Sequence, residues 1–172
     1  SSAASDVYKR QGFDLHPDVP MADRHTFNLR ENEVETVGKK ERFRRNIMAI
    51  QLLKKCQEEN RFATPEEQIV LSKYVGWGGL SEAFDENNSA WATEYLELSS
   101  VLTPEEYASA RESTLTAFYT PPEVITAIYK AMEQMGFKEG NLLEPSCGIG
   151  NFIGMLPDAM QDSKIYGVEL DT

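Results

Sequence analysis

Apolar residues recur at helical spacing through most of this chain and form two short strand-like runs near its end. Between Lys40 and Asn60, Phe43, Ile47, Ile50 and Leu53 fall within about 120° on a helical wheel, the width of a core stripe, which predicts a helix. Thr64-Pro65-Glu66-Glu67, Thr103-Pro104-Glu105-Glu106 and Thr120-Pro121-Pro122-Glu123 predict three further helix starts. Each sets Thr at the N-cap, Pro at the first helical position and Glu at the third. The last of these helices carries Val124, Ile125, Ile128, Met132 and Met135 on one face and stops at Gly136. Asn88–Leu98, with Trp91, Tyr95 and Leu98 at helical spacing, predicts another. Asn141-Leu142-Leu143-Glu144 and the run from Lys164 to Asp171 predict strands. Residues 1–38 lack a sustained period and read as an extended arm or linker, with a short strand at Thr26–Arg30.

Composition adds bounds. The 172 residues are 41% hydrophobic, enough to build a core and too many for gross disorder. No apolar run reaches the roughly 18 residues that a membrane helix needs, and no signal-peptide pattern opens the chain. Two cysteines, Cys56 and Cys147, are too few for a disulfide framework or a Cys-rich zinc site, which fits a reducing cytoplasm. The sequence starts at Ser1 rather than Met and stops at Thr172 just after an apolar run. Both ends lead us to expect an excerpt of a longer protein.

The net charge of −11 argues against indiscriminate nucleic-acid binding, but it is unevenly distributed. Residues 39–55 carry seven basic side chains against the single Glu41, a net +6, while residues 56–172 carry −14. Arg44, Gln51 and Lys55 share one face of the predicted helix, with Arg45 beside them. A solvated basic face is favoured over phosphate contact, the alternative that would make Arg44, Arg45 and Lys55 DNA contacts. Trp77, in Tyr74-Val75-Gly76-Trp77-Gly78-Gly79, either stacks on a base or plugs a gap between helices; the plug is favoured.

The chemistry concentrates near the end. A strand closing on Glu144-Pro145, the glycine turn Ser146-Cys147-Gly148-Ile149-Gly150, a helical stretch towards Met155 and Leu156, and a second acid-tipped strand make one βαβ unit. Gly148 and Gly150 let backbone approach a ligand closely, and Glu169, 19 residues after Gly150, can accept both hydroxyls of a ribose. A dinucleotide site shares these features. Glu144 tilts the balance, since a carboxylate before the turn suits a cationic ligand and repels a pyrophosphate. Cys147 as a nucleophile is discounted because nothing nearby in sequence supplies a base.

Glu144-Pro145-Ser146-Cys147-Gly148-Ile149-Gly150-Asn151-Phe152 resembles the S-adenosylmethionine motif of adenine-N6 DNA methyltransferases, and Phe118-Tyr119-Thr120-Pro121-Pro122-Glu123 resembles their upstream motif. Arg42–Asn46, Ala63–Gln68 and Tyr74–Gly79 are similar to stretches of methylase–helicase fusion proteins of conjugative elements and phages. The resemblance runs from about residue 26 to the end. It implies a helix-rich α/β chain: an arm over 1–38, a helical region over 39–117, and over 118–172 the first βαβ unit of a Rossmann-like S-adenosylmethionine-dependent methyltransferase domain. It further implies that Thr120 and Glu144 meet the methionine end of the cofactor and that Pro145, Cys147, Gly148 and Gly150 form the turn. Phe152 would support the pocket and Glu169 hold the ribose. The family's catalytic Asn/Asp-Pro-Pro-aromatic tetrapeptide does not occur here, so no catalytic residue is assigned and the chain alone is expected to be inactive. Expected partners are DNA through the intact protein, the remainder of the parent polypeptide, and a second copy paired at an exposed sheet edge. The rival readings are a non-catalytic DNA-binding or assembly module, a protein or RNA methyltransferase, and a nucleotide-linked oxidoreductase.

Overall fold

The structure, a computed structural model, describes Pro20, residues 27–29 and residues 37–169. Four helices come first: α1 (Lys39–Glu58), α2 (Pro65–Leu71), α3 (Ala92–Val101) and α4 (Pro104–Ser113), with 3-10 turns at Ser81–Phe84 and Ser89–Trp91. Then follow α5 (Pro122–Gln134), β1 (Asn141–Glu144), the single turn α6 (Asn151–Gly154), a 3-10 turn at Asp158–Met160 and β2 (Lys164–Gly167). Among the described residues, no helix is long and apolar enough to cross a membrane.

Capping explains the helix starts. Thr64 and Thr103 each accept a hydrogen bond from the backbone of the glutamate three residues on, and Glu67 and Glu106 return bonds to the threonine N–H groups. The third start differs from expectation. Helix α5 begins at Pro122 with Pro121 as its N-cap, one residue later than the Thr120 cap the sequence predicts. A residue that precedes proline is pushed out of helical geometry, so Pro121 stays extended at φ −63°, ψ 147°. Thr120 is thereby left outside the helix.

The core comprises two apolar clusters. Phe43, Ile47, Trp77, Leu80, Ala83, Phe84, Trp91, Leu98 and Ala110 pack the helical part. Its aromatic rings meet edge to face, Phe43 on Trp77 at 6.0 Å and Trp77 on Phe84 at 5.5 Å between centroids. Trp77 is only 3% exposed and plugs this core. With no face open to a base, it corrects the stacking alternative. Leu53 departs from its predicted stripe and is exposed, although Ala49 and Cys56, one turn to either side, are buried.

Ile125, Tyr129, Met155, Leu156 and Met160 form the second cluster, with Met132, Leu142, Phe152 and Ile165 against it. The buried face of α5 is therefore Ile125–Tyr129–Met132, rotated from the predicted stripe, and Val124, Ile128 and Met135 are exposed. Strands β1 and β2 are parallel and in register, Leu142 opposite Ile165 and Leu143 opposite Tyr166. The α/β expectation thus takes the form of a helix-rich chain with a two-stranded parallel sheet. The second strand is shorter than Lys164–Asp171, ending at Gly167, although Val168 still pairs with Glu144 and Cys147 through its backbone. Of the arm, most positions, including Thr26 and Arg30, lie outside the described residues. Phe27, Asn28 and Leu29 form no strand, and the side chain of Leu29 joins the second cluster beside Gly154.

Candidate cofactor cleft

The end of β1, the turn after it and the chain entering α5 converge on one small cavity. It is lined by Phe118, Tyr119, Thr120, Glu144, Ser146, Cys147, Ile149, Asn151 and Phe152 and has a volume of about 80 Å³. Four of the sequence-assigned residues, Thr120, Glu144, Cys147 and Phe152, are thus brought together. The parallel pairing of β1 with β2 fixes Glu144 at the carboxyl end of its strand, where ligands of open α/β sheets bind. Thr120 reaches the cavity because its hydroxyl is released from capping duty.

The turn is tight. Gly148 and Gly150 adopt φ of +51° and +79°, Gly150 N–H bonds to Cys147 C=O at 2.8 Å, and Gly150 serves as N-cap of α6. A Cβ added at Gly150 would point into open space, so this side of the turn is clear for a ligand. Phe152 stands against Tyr129, centroids 6.1 Å apart, and the Tyr129 hydroxyl donates to the Phe152 carbonyl at 2.7 Å. Burial raises the Tyr129 pKa and the nearby Glu144 carboxylate raises it further, so this donor stays protonated. Pro145 is exposed and lies outside the lining.

Glu169 approaches the same turn from the end of β2. Its carboxylate accepts from Gly148 N–H at 2.6 Å. In a dinucleotide site that N–H faces a phosphate. Here an anion of the protein already holds it, and no lysine or arginine lines the cavity. A cleft walled by Glu144 and supported by Glu169 fits a cationic ligand group and hydroxyls rather than a pyrophosphate. Its volume is small beside the pockets of roughly 300–1,000 Å³ that enclose whole small molecules, so as it stands it accommodates one end of a cofactor. Among the described residues, no group of three or more His, Cys, Asp or Glu could hold a metal ion.

The cations of the basic helix are mostly engaged within the chain. Lys39 pairs with Glu82, Lys40 with Glu94 at 2.6 Å while lying over the Trp91 ring, and Lys54 with Glu106 at 2.6 Å. Arg42 donates to the Gly78 carbonyl at 2.7 Å, and Arg44 and Arg45 both pair with Glu41. These lysines hold the carboxyls of Glu82, Glu94 and Glu106 below their ordinary range. Six of the seven cations of residues 39–55 thus face carboxylates or carbonyls of the chain itself, and Lys55 is exposed.

Two contributors carried weaker sequence signals. Asn46, fully buried on α1, donates to the Gly76 carbonyl at 2.7 Å and accepts from Val75 N–H at 2.9 Å. A polar residue between Phe43 and Ile47 on the buried stripe was the available sign. Tyr119 stands between Gly76 and Gly148, a placement that no local pattern encodes.

No family model and no solved structure matches the chain. Over 55 residues it is 38% identical to the type II methyltransferase M.CvrRI of Paramecium bursaria Chlorella virus XZ-6E. The matched stretch is 31% of this chain and 14% of that protein, so the chain spans a small part of its relative's length.

Proposed function

We propose that this chain carries part of the S-adenosylmethionine pocket of an adenine-N6 DNA methyltransferase and the helical lead-in to it. The observation that carries the reading is the cleft itself: Thr120 and Glu144 facing a glycine turn whose N–H is held by Glu169. When bound, the cofactor supplies a methyl group on a sulfonium centre, activated for attack by an amine. Glu144 would neutralise the cationic methionine end, the Thr120 hydroxyl would offer it a hydrogen bond, and the open side of the turn at Gly150 would admit it. Glu169 accepts from the ribose hydroxyls once it exchanges its bond to Gly148 N–H. The chain's role is binding and orientation, the part of the rate that positioning supplies. Methyl transfer belongs to the whole protein, whose Asn/Asp-Pro-Pro-aromatic tetrapeptide holds the flipped adenine. The stretches Arg42–Asn46, Ala63–Gln68 and Tyr74–Gly79 also favour a parent fused to a helicase, as in mobile elements.

Titration of the chain with S-adenosylmethionine, followed by amide NMR, tests this. Gly148 and Gly150 should shift at millimolar cofactor, with affinity weaker than micromolar because the cleft of about 80 Å³ encloses only one end of it. Glu144→Gln should weaken the response, and a nicotinamide dinucleotide should produce none. Shifts with the dinucleotide alone, or none with S-adenosylmethionine, would sink the proposal.

A further inference from the structure

The glycine-rich loop around Trp77 lies 70 residues before the cofactor turn, yet the two meet across one aromatic ring. Gly76 has φ +66°, and a Cβ built on it would stand 2.7 Å from both Cε2 and the hydroxyl oxygen of Tyr119. Gly148 faces the opposite edge, where its Cβ would stand 2.8 Å from Cε1 and 2.9 Å from Cδ1. Both separations are below what real Cβ atoms show, so a side chain at either glycine would push the ring from its place, and the positive φ of both favours glycine. The loop is itself fixed on two sides. Asn46 and Arg42 of α1 bind its backbone at Val75, Gly76 and Gly78. On the other side Gly79 N–H bonds to Thr114 C=O at 2.9 Å, and a Cβ on Gly78 would lie 2.1 Å from the Ala117 carbonyl oxygen. The loop therefore runs along the strip 114–119 and determines where Tyr119 emerges.

We infer that the Gly76–Gly79 loop is the rear support of the cofactor cleft, holding Tyr119 as a positioning residue that sets the Gly148 turn. The helical part then shapes the cleft instead of merely preceding it. The functional meaning rests on the cofactor reading above; the coupling of ring to turn does not. Cys147 sits in that turn and is partly exposed, whereas Cys56 is buried in α1, so thiol labelling of the full chain reports on the turn and on the fold at once. Tyr119→Ala should raise the labelling rate of Cys147 about tenfold as local opening becomes easier, with Cys56 still protected. Tyr119→Phe, which keeps the ring, should label much closer to the parent rate than Tyr119→Ala does. Gly76→Ala should also speed Cys147, but should add nothing in the Tyr119→Ala background, where its collision partner is gone. An unchanged Cys147 rate in Tyr119→Ala, or additive effects of the two substitutions, overturns the inference. Should Gly76→Ala expose Cys56, the Tyr119→Ala and Tyr119→Phe pair decides alone. S-adenosylhomocysteine added to the parent chain should slow Cys147 labelling; failure of this arm alone removes the cofactor reading and leaves the coupling standing.

Discussion

Asn46 shows what one side chain can hold in this fold. It is fully buried, and its amide satisfies a backbone carbonyl and a backbone N–H of the same loop. Truncation would leave both groups unpaired in the core, where each costs on the order of 1–3 kcal/mol. Asn46→Ala should therefore lower unfolding stability by about 2–4 kcal/mol, read as a fall in the denaturant midpoint at unchanged slope. Exposed Arg44, two residues away and paired with Glu41 on the surface, should cost well under 1 kcal/mol when replaced by alanine. A stability loss at Asn46 no larger than at Arg44 would show that water replaces the lost bonds. The pattern of the sequence places Asn46 on a core stripe but says nothing of its partner. A loop 30 residues away is a tertiary fact, and so is the Tyr119 slot between two distant glycines.

Elements were legible where their determinants are local. The Thr-Pro-Glu-Glu starts of α2 and α4 close as capping boxes because every group involved lies within one turn. In α2 the same Glu67 also takes both arms of Arg61, at 2.6 and 2.8 Å, and this hydrogen bonding lowers its pKa to about 2. The third start failed for an equally local reason, the second proline, which holds Pro121 extended and moves the cap past Thr120. The buried face of α5 was misjudged because its apolar residues span more than one stripe, and only the packing of Met155, Leu156 and Met160 selects Ile125–Tyr129–Met132. Replacement by alanine separates the three threonines. Thr64→Ala and Thr103→Ala should each cost about 1 kcal/mol in chemical denaturation, and Thr120→Ala nearly nothing. A cost at Thr120 equal to the other two would restore it as a cap and remove it from the cleft.

At the scale of the whole molecule, charge and apolar surface are arranged differently. Three lysines of residues 39–55 pair with Glu82, Glu94 and Glu106, so about half of the segment's +6 is matched by carboxylates elsewhere in the chain. The apolar surface is not cancelled. Leu143 and Tyr166, register partners on the outer face of the sheet, are 66% and 52% exposed, and Val168 continues their line. Parallel sheets bury both faces, and here helix packing covers only the side of Leu142 and Ile165. Among the described residues the sheet has two strands, so each is also an edge, with backbone groups open to pairing. An apolar face beside an unpaired edge favours contact with a second copy of the chain, through either the face or the ladder. Sedimentation velocity should therefore show an average mass that rises with concentration. Tyr166→Lys with Leu143→Glu, opposite charges on register partners, should return the chain to monomer without lowering its stability, since neither side chain packs in the core. A parent chain that stays monomeric across the concentration range would mean that residues 164–169 are protected in solution in some way that the exposed face does not reveal.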